Sequence, residues 1–241
     1  YAPNAVVLNY TNPMATLTGV FYECSKLRTV GLCHGVFATY RVLQQLFEVK
    51  EKDLTLRFGG TNHFFWVTDF TVNGESGYPL LKKRLDNQSI DQALAVGDKD
   101  EMGFHSDHAL ADELYRRTGF LPYVGDRHTC EFMPDLLTPA ALELNRFKLA
   151  RTTVAERREK RTTSRQRALD LASGKCKPLK RSRETAIDII KAFVAGTPFT
   201  DVVNLPNIGQ IDNLPRRAIV ETSGRIDALG FAANTLGPLP P

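Results

Sequence analysis

The strongest strand signal in the sequence is Phe64-Phe65-Trp66-Val67-Thr68-Asp69-Phe70-Thr71-Val72. Aromatic and β-branched residues dominate this run, as they do in β-strands. It is followed by Asn73-Gly74, a dipeptide favoured in two-residue hairpin turns because both positions adopt positive φ. Residues 54–58 precede it as a shorter strand that leads to a Gly-Gly turn. This region therefore predicts β-structure with a tight reversal after residue 72.

Working outward, short apolar runs alternate with helical patterns. Residues 5–10 and 29–33 are predicted as strands, and each is followed by a helical pattern, at 14–27 and at 35–47. Such alternation is typical of α/β proteins, in which functional residues lie at the ends of strands.

The rest of the chain continues the mixed pattern. The predicted segments are mainly helix at 77–118, loop or strand at 121–134, a long basic helical stretch, continuous or broken, at 139–172, helix at 182–195, and strands at 202–207 and 218–221. The helix at 182–195 is closed by Gly196, and its spacing predicts one apolar face made of Ala186, Ile187, Ile190 and Phe193.

Length and composition describe an ordinary globular chain. At ~150 residues per domain, 241 residues suit one large domain or one and a half. No apolar run approaches the ~18 residues of a membrane span. Four cysteines at irregular spacing do not indicate a disulfide framework, which favours a reducing, cytoplasmic setting. The chain begins with Tyr1 rather than Met, so we expect a processed or excised piece.

The charge is concentrated in one segment. The chain carries 31 basic and 27 acidic residues, and residues 145–183 hold 14 of the basic and 3 of the acidic ones, giving +11 there and −7 elsewhere. A nucleic-acid interface is one interpretation, and a solvated helical arm or a subunit contact is the other. Phe147 is the segment's single aromatic residue, so stacking on bases has almost no support.

Two pairs of polar residues stand at the ends of predicted strands. Cys33-His34 ends one strand beside a glycine, and Asn62-His63 lies in the turn before the aromatic strand. A thiolate and an imidazole suit Zn, Mn, Fe or Co, with open positions left for substrate oxygens. Buried cysteines and single histidines are more often structural, so both interpretations stay open.

A third polar group is Gly125-Asp126-Arg127-His128. The Arg127 guanidinium can hold a carboxylate or phosphate through two hydrogen bonds. Asp126 is a candidate general base, with Tyr123 as the alternative. A surface loop with salt bridges is an equally good interpretation of this segment.

Asparagines recur in the Pro/Gly-rich C-terminal part, at positions 204, 207 and 213. Their side chains suit turns or hydrogen bonds to sugar hydroxyls. Local composition does not choose between these roles.

Taken together and in order, these motifs resemble glycoside hydrolase family 4. The resemblance is carried by Asn9–Met14, Val30–Gly35, Gly60–Trp66, Val203–Gly209, Asn213–Pro215, Val220-Glu221 and Gly237–Pro240. Cys33-His34 resembles the α-galactosidase, α-glucuronidase and α-galacturonidase branches. Gly125–His128 together with Glu131–Pro134 is most similar to the α-galacturonidase members.

The resemblance implies hydrolysis that departs from the two-carboxylate scheme of most glycosidases. In this family NAD⁺ oxidises C3 of the sugar, which acidifies the proton on C2. A base removes that proton, the glycosidic bond breaks by elimination, water adds at C1, and the hydride returns to C3. A divalent metal, usually Mn²⁺, binds the C2 and C3 oxygens as a Lewis acid.

Residue roles follow from the same resemblance. Cys33 and His63 match the metal ligands, and Asn12 matches an asparagine that contacts substrate and cofactor near the metal. The base is predicted to be Asp126, with Tyr123 second. The further substrate-binding residues are predicted to be His34, Asn62, Arg127, His128 and Asn207, with Arg127 holding the C6 carboxylate of a uronic acid.

The main departure from the family is at the N-terminus, since the chain contains no Gly-x-Gly-x-x-Gly turn. We therefore expect residues 1–12 to be the last strand of an otherwise absent NAD-binding Rossmann domain, and residues 13–241 to be the C-terminal substrate- and metal-binding domain. The implied fold is α/β (α+β), similar to the C-terminal domain of lactate and malate dehydrogenases, with long helices on a mixed, largely antiparallel sheet.

The sequence supports three candidate functions for this protein. The first is a cytoplasmic glycosidase for α-galacturonides or related uronides and galactosides, forming a homodimer or homotetramer and contacting no nucleic acid or membrane. This chain alone is expected to be inactive without the NAD domain. The second is a non-catalytic carbohydrate- or metal-binding fragment, and the third is a nucleic-acid-binding module using residues 145–183.

Overall fold

The computed structural model describes residues 2–94, 107–149, 152–175 and 184–240 of the chain. Within them, one mixed sheet contains every strand. The strands are β1 (Val6–Asn9), β2 (Arg28–Gly31), β3 (Leu54–Thr61), β4 (Phe64–Val72), β5 (Glu75–Ser76), β6 (Leu121–Pro122), β7 (Phe199–Pro206), β8 (Ile219–Asp227) and β9 (Gly230–Ala233). They are ordered β1-β2-β7-β8-β3-β4-β5, with β6 beside β4 and β9 beside β8.

Helices cover this sheet and fill its connections. They are α1 (Met14–Cys24), α2 (Gly35–Phe47), α3 (Gly77–Arg84), α4 (Ile90–Ala93), α5 (Ala109–Thr118), α6 (Asp126–Thr129), α7 (Pro139–Leu144), α8 (Val154–Ala172) and α9 (Ala186–Ala195). Part of the helical prediction for 77–118 falls on residues 95–106, which lie outside the described residues. The long helical stretch predicted at 139–172 is two helices, α7 and α8.

Pairing in the sheet is antiparallel except at one edge, where β1 and β2 run parallel with α1 between them in sequence. The prediction of a mixed, largely antiparallel sheet is confirmed. Strand β1 is hydrogen-bonded into the same sheet as the rest of the chain, while the boundary at residue 12 stays a prediction.

The aromatic run behaves as its composition indicates. Strand β4 spans Phe64–Val72, with Phe65, Val67 and Phe70 at most 1% exposed. Asn73 and Gly74 both have positive φ, and they connect β4 to the short strand β5. These buried residues join Leu43, Leu81 and Leu121 in the largest apolar core, so the β3–β4 hairpin is anchored firmly.

The apolar face predicted for α9 is wrong at Ile187 and Ile190 and right at Phe193, which packs against the apolar core beneath the helix. Its buried residues are Ile189 and Ala192, whereas Ile187 is 62% and Ile190 49% exposed. The helix packs on the second core, which contains Val30, Val203 and Ile226. Eight of the ten residues of α9 are apolar, so the helix has more than one apolar stripe, and the sheet decides which stripe is buried.

Helix α8 has no buried residue, and all of its residues are exposed except Asp170 and Leu171, which are partly buried. It begins with a capping box, in which Thr153 and Glu156 exchange hydrogen bonds. Among the described helices, none is both long and apolar enough to cross a bilayer.

Candidate functional site

The predicted polar groups lie where strands give way to connections. Cys33 and His34 connect β2 to α2, and Asn62 and His63 form the two-residue turn between β3 and β4. His63 has a φ of 66°, in the left-handed region that non-glycine residues seldom adopt. This backbone conformation fixes the direction in which its side chain leaves the turn.

His63 meets His128 and Glu131 in a compact cluster. The two imidazole rings stack with centroids 4.0 Å apart and an interplanar angle of 24°. Glu131 faces both rings, since its Oε2 lies 3.5 Å from His63 Nδ1 and its Oε1 lies 3.2 Å from His128 Nδ1. Among the described residues, this trio is the group of three or more His, Cys, Asp or Glu side chains whose ligand atoms lie close enough to share a metal ion.

The electrostatics of the cluster favour neutral imidazole at His63. Burial lowers the pKa of His63, repulsion by His128 lowers it further, and Glu131 acts in the opposite direction. Neutral imidazole is the form that binds metals. The donor set therefore fits a divalent transition metal.

Tyr123 lies against the same histidines. Its ring stacks near His63 at 6.5 Å and near His128 at 6.1 Å, and it is only 6% exposed. A Cβ on Gly125 would lie 2.6 Å from the Tyr123 hydroxyl, and one on Gly35 would lie 3.3 Å from the ring. The glycines at 35 and 125 therefore leave the space that the tyrosine occupies.

Cys33 belongs to a second, buried polar cluster. Asn62 hydrogen-bonds to its sulfur, and the Asn62 amide also donates to Glu221 Oε2 at 3.2 Å. Asn204 donates to the same carboxylate oxygen at 2.9 Å. Burial, followed by the nearby Glu221 carboxylate, raises the pKa of the Cys33 thiol to about 12. Residue 62 thus links the cysteine cluster to the turn that carries His63.

Glu221 is the acid of this cluster, and it has no solvent exposure. Burial raises the pKa of Glu221 from its ordinary 4.5 to about 7, although the amides of Asn204 and Asn62 oppose the shift. Its Oε1 has no hydrogen-bond partner among the described residues.

Asp126 is placed differently from its predicted role as base. Its two carboxylate oxygens accept the backbone N–H groups of Leu110 and Ala111, each at 3.0 Å, and the residue is 2% exposed. These N–H groups belong to the first turn of α5, where they have no partner within the helix. Asp126 therefore caps α5 through both of its carboxylate oxygens.

Arg127 points toward the start of the exposed helix. Its Nη2 donates to Thr152 Oγ1 at 2.9 Å, next to the Thr153 cap of α8. The residue thus lies one position from His128 while its guanidinium contacts the segment before α8.

Asn12 and His34 are accessible residues at the β1–β2 edge. Asn12 is exposed, and its Oδ1 accepts a hydrogen bond from the Met14 amide at the start of α1. His34 Nε2 pairs with Glu184 Oε1 at 2.7 Å, and its ring stacks on Tyr10.

Asn207 is occupied by its own loop. Its amide donates to the carbonyls of Ile211 and Leu214, and its Oδ1 accepts the amides of Gly209 and Ile211. At 1% exposure it has no free polar atom for a sugar, so the structure gives it the turn role.

A cleft of about 650 Å³ opens between α2, α9 and the sheet, away from the histidine cluster. Residues lining it include Phe37, Tyr40, Glu184, Asp188, Phe199 and Asp201. It holds the ion-pair partner of His34 but none of His63, Tyr123 and His128. Among the described residues, the side chains whose ligand atoms lie close enough to share a metal ion are those of the histidine cluster and not those lining this cleft.

Sequence reasoning did not assign roles to Glu131 or Glu221. Glu131 follows His128 by three residues, a spacing that brings side chains together on a helical turn, so this pairing could have been found. The partners of Glu221, residues 62 and 204, are 159 and 17 residues away, and no local signal identifies them.

Comparison with known families identifies two matching segments. Residues 1–49 match the family model described as "Family 4 glycosyl hydrolase". Residues 58–241 match "Family 4 glycosyl hydrolase C-terminal domain".

Curated relatives agree with this match. An α-galacturonidase of Bacillus subtilis (strain 168) is 32% identical over 237 residues, which cover 94% of this chain and 52% of the relative. An α-galactosidase of the same organism is 28% identical over 246 residues, covering 99% of this chain and 52% of the relative. The chain thus spans about half the length of the curated relatives it matches.

Solved structures share the fold. The lplD protein of Bacillus subtilis superposes with a TM-score of 0.86 at 30% identity, covering 100% of this chain and 57% of that one. A 6-phospho-α-glucosidase from gut microorganisms, solved in complex with NAD and Mn²⁺, gives a TM-score of 0.69 at 22% identity over 100% of this chain and 55% of that one. At that identity the second likeness concerns the fold alone.

Proposed function

Because this chain belongs to family 4 of the glycosyl hydrolases, we propose that it supplies the substrate- and metal-binding part of an enzyme that hydrolyses α-linked galacturonides or related uronides and galactosides. The observation that carries the proposal is the convergence of His63, His128 and Tyr123 beside the Cys33–Asn62 contact. The 32% identity to an α-galacturonidase supports the choice of sugar.

The proposed reaction needs a dinucleotide and a divalent metal ion, which residues of this chain would contact or bind. When bound, NAD would supply oxidation at C3 and its reversal, and Mn²⁺ or another divalent ion would polarise the sugar oxygens. Cys33 and His63 are the proposed metal ligands. A thiolate and an imidazole are ligands that Mn, Fe, Co and Zn accept.

Tyr123 is the proposed base for the proton on C2. A phenolic oxygen accepts or donates a proton, and this one lies where Gly125 leaves room for it, with its ring against the two histidines. Asp126 is the weaker candidate, because backbone N–H groups occupy both of its oxygens.

Arg127 is the proposed contact for the C6 carboxylate. A guanidinium forms two parallel hydrogen bonds with a carboxylate and none of comparable strength with a neutral CH₂OH group. His34, Asn62 and His128 are the proposed contacts to the remaining sugar oxygens, and Asn12 the proposed contact near substrate and cofactor. The alternative function is a non-catalytic carbohydrate- or metal-binding fragment of such an enzyme.

Calorimetry on the reduced protein tests the proposal. Mn²⁺ is titrated alone, with galacturonic acid and with galactose, and the titration is repeated with Cys33→Ser. We expect saturable Mn²⁺ binding that galacturonic acid strengthens more than galactose does. Binding should weaken ten-fold or more in Cys33→Ser, because a hydroxyl is a far poorer ligand than a thiolate.

A hydrolysis assay separates the enzyme from its alternative. Because this chain alone is expected to be inactive, an aryl α-galacturonide is incubated with Mn²⁺ and an enzyme that combines this chain with an NAD-binding domain, with and without NAD⁺. Release of the aryl group only with NAD⁺ supports the glycosidase. Metal and sugar binding with no release supports the non-catalytic fragment, and release independent of NAD⁺ contradicts the proposed reaction type.

A further inference from the structure

We propose that His128 and Glu131 bind the divalent metal ion together with His63, as a ligand set that extends beyond the Cys33–His63 pair. The inference rests on the proposed function only in that His63 binds a metal. It assigns to His128 a metal contact in place of a sugar contact, and it gives Glu131 a role that sequence analysis did not.

The separations within the trio already suit a shared ion. Four ligand atoms placed tetrahedrally at about 2.1 Å from an ion lie roughly 3.4 Å from one another. The Glu131 oxygens lie 3.5 Å from His63 Nδ1 and 3.2 Å from His128 Nδ1. The distances from Glu131 therefore suit a shared ion. The two imidazoles can bind it once they rotate out of their stacked arrangement, because a ring nitrogen binds a metal in the plane of its ring.

The chemistry of the set points to a transition metal with an open position. Two imidazoles and one carboxylate are the three protein ligands of one class of catalytic zinc site, in which the fourth position is kept for water or substrate. Imidazole and carboxylate together also accept Mn, Fe and Co. A water molecule or a sugar oxygen is a suitable occupant of that open position.

Exposure is graded across the trio in a way that permits entry. The side chain of His63 is 12% exposed, that of His128 is 37% exposed and that of Glu131 is 53% exposed. The buried imidazole forms the floor of the set, and the carboxylate forms its rim toward solvent. An ion and a sugar can both reach the set from the Glu131 side.

The two segments that carry the ligands are fixed to each other. His63 lies in the β3–β4 turn, and His128 and Glu131 lie one turn apart on α6 and the 3₁₀ turn Cys130–Phe132. The neighbouring residues Phe64 and Phe132 stack at 5.1 Å with an interplanar angle of 13°. The trio is thus assembled by packing before any ion binds, which lowers the entropy cost of binding.

The test uses Mn²⁺ affinity and the visible spectrum of Co²⁺ bound to the reduced protein. The variants are His128→Ala and Glu131→Gln, with Cys33→Ser for the cysteine and Glu143→Gln as control. Glu143 is an exposed carboxylate on α7, outside the trio. Thermal melting without metal checks that the variants fold, as expected at His128 and Glu131, whose side chains are at least a third exposed.

If the trio binds the ion, His128→Ala and Glu131→Gln each weaken Mn²⁺ binding by ten-fold or more and shift the Co²⁺ d–d bands, whereas Glu143→Gln does neither. Weaker Mn²⁺ binding with unchanged Co²⁺ bands would make the two residues supports of His63 and overturn the proposal. Full binding in both variants, with loss only in Cys33→Ser, would also overturn it and leave the proposed function standing. Wild-type protein that binds no Mn²⁺ would overturn both.

Discussion

The Glu221 carboxyl shows how one residue connects three strands. It receives hydrogen bonds from Asn62, at the end of β3, and from Asn204 on β7, while it belongs itself to β8. No cation faces it in the described part of the chain, so the two amides are its stabilising contacts. An acid in this environment is held more easily in its protonated form.

We predict that Glu221 makes the free energy of unfolding depend on pH. Because burial raises the pKa of Glu221 from 4.5 to about 7, the folded protein retains a proton that the unfolded chain releases between these values. Its contribution is fully present below about pH 4.5 and is lost as pH rises to about 7, a change on the order of 3 kcal/mol. Urea unfolding of metal-free protein at several pH values measures it.

Glu221→Gln is the matched variant for this measurement. Glutamine keeps an oxygen for the Asn62 and Asn204 amides but cannot ionise, so we expect it to flatten the pH dependence between 4.5 and 7 without a loss of stability at pH 7. A variant with the same slope as the wild type would assign the dependence to other groups.

Arg127 provides the residue-level test of substrate choice. Arg127→Ala in the active enzyme should lower kcat/KM for an α-galacturonide by at least ten-fold more than for the corresponding α-galactoside, because only the uronide offers a carboxylate to the guanidinium. Equal losses on both substrates would show that Arg127 acts through its contact with Thr152 and the start of α8 instead.

At the scale of elements, the loop before α6 and the helix α5 form one unit. The Asp126 carboxylate closes the first turn of α5, and His108, which precedes that helix with positive φ, contacts the carbonyl of Val124 through Nδ1 at 2.8 Å. This unit holds the backbone from which the side chains of Tyr123 and His128 project. Asp126 therefore contributes to the candidate site by holding its backbone.

We predict that Asp126→Ala lowers the free energy of unfolding by about 1–3 kcal/mol, since it leaves two buried N–H groups without an acceptor. Urea unfolding measures the loss, and Asp135→Ala serves as a control because Asp135 is exposed on a 3₁₀ turn. The control should change stability by no more than about 0.5 kcal/mol. Wild-type stability of the Asp126 variant would contradict the capping role.

At the scale of the whole molecule, the basic helix α8 lies apart from the apolar cores. The sheet and its packed helices bury the cores, whereas the basic helix α8 has no buried residue. Phe147, the one aromatic side chain of the basic segment, is 9% exposed and packs with Leu110 and Leu114. It is therefore not presented to solvent as a platform for a base.

We predict that nucleic acid binds the basic segment only through electrostatic attraction that salt weakens. A fluorescently labelled oligonucleotide should bind weakly at low salt and dissociate by roughly 200 mM salt, since counterion release supplies the whole of such binding. Fluorescence anisotropy during a salt titration measures this. Sequence-selective binding that persists above that concentration would favour the nucleic-acid hypothesis for residues 145–183.

The sequence alone determined the elements whose signals are local. The aromatic run gives strand β4, Gly35–Phe47 gives α2, and the placement of Cys33 and His63 at strand ends follows from where apolar runs stop. Ordered motifs along the chain also gave the family. These features depend on residues within a few positions of one another, so the sequence carries them in full.

Only the tertiary structure decided which side chains meet. The sequence put Asp126 before Tyr123 as the candidate base, and only the structure placed the Asp126 carboxylate on the N–H groups of α5. Asn207 turned inward to its own loop, and α9 buried Ile189 instead of the predicted stripe. The pairing of His63 with Glu131, 68 residues later, depends on the packing of the β3–β4 turn against α6. Hydrogen-bond satisfaction and burial are settled by contacts between distant segments, and a linear pattern does not contain those contacts.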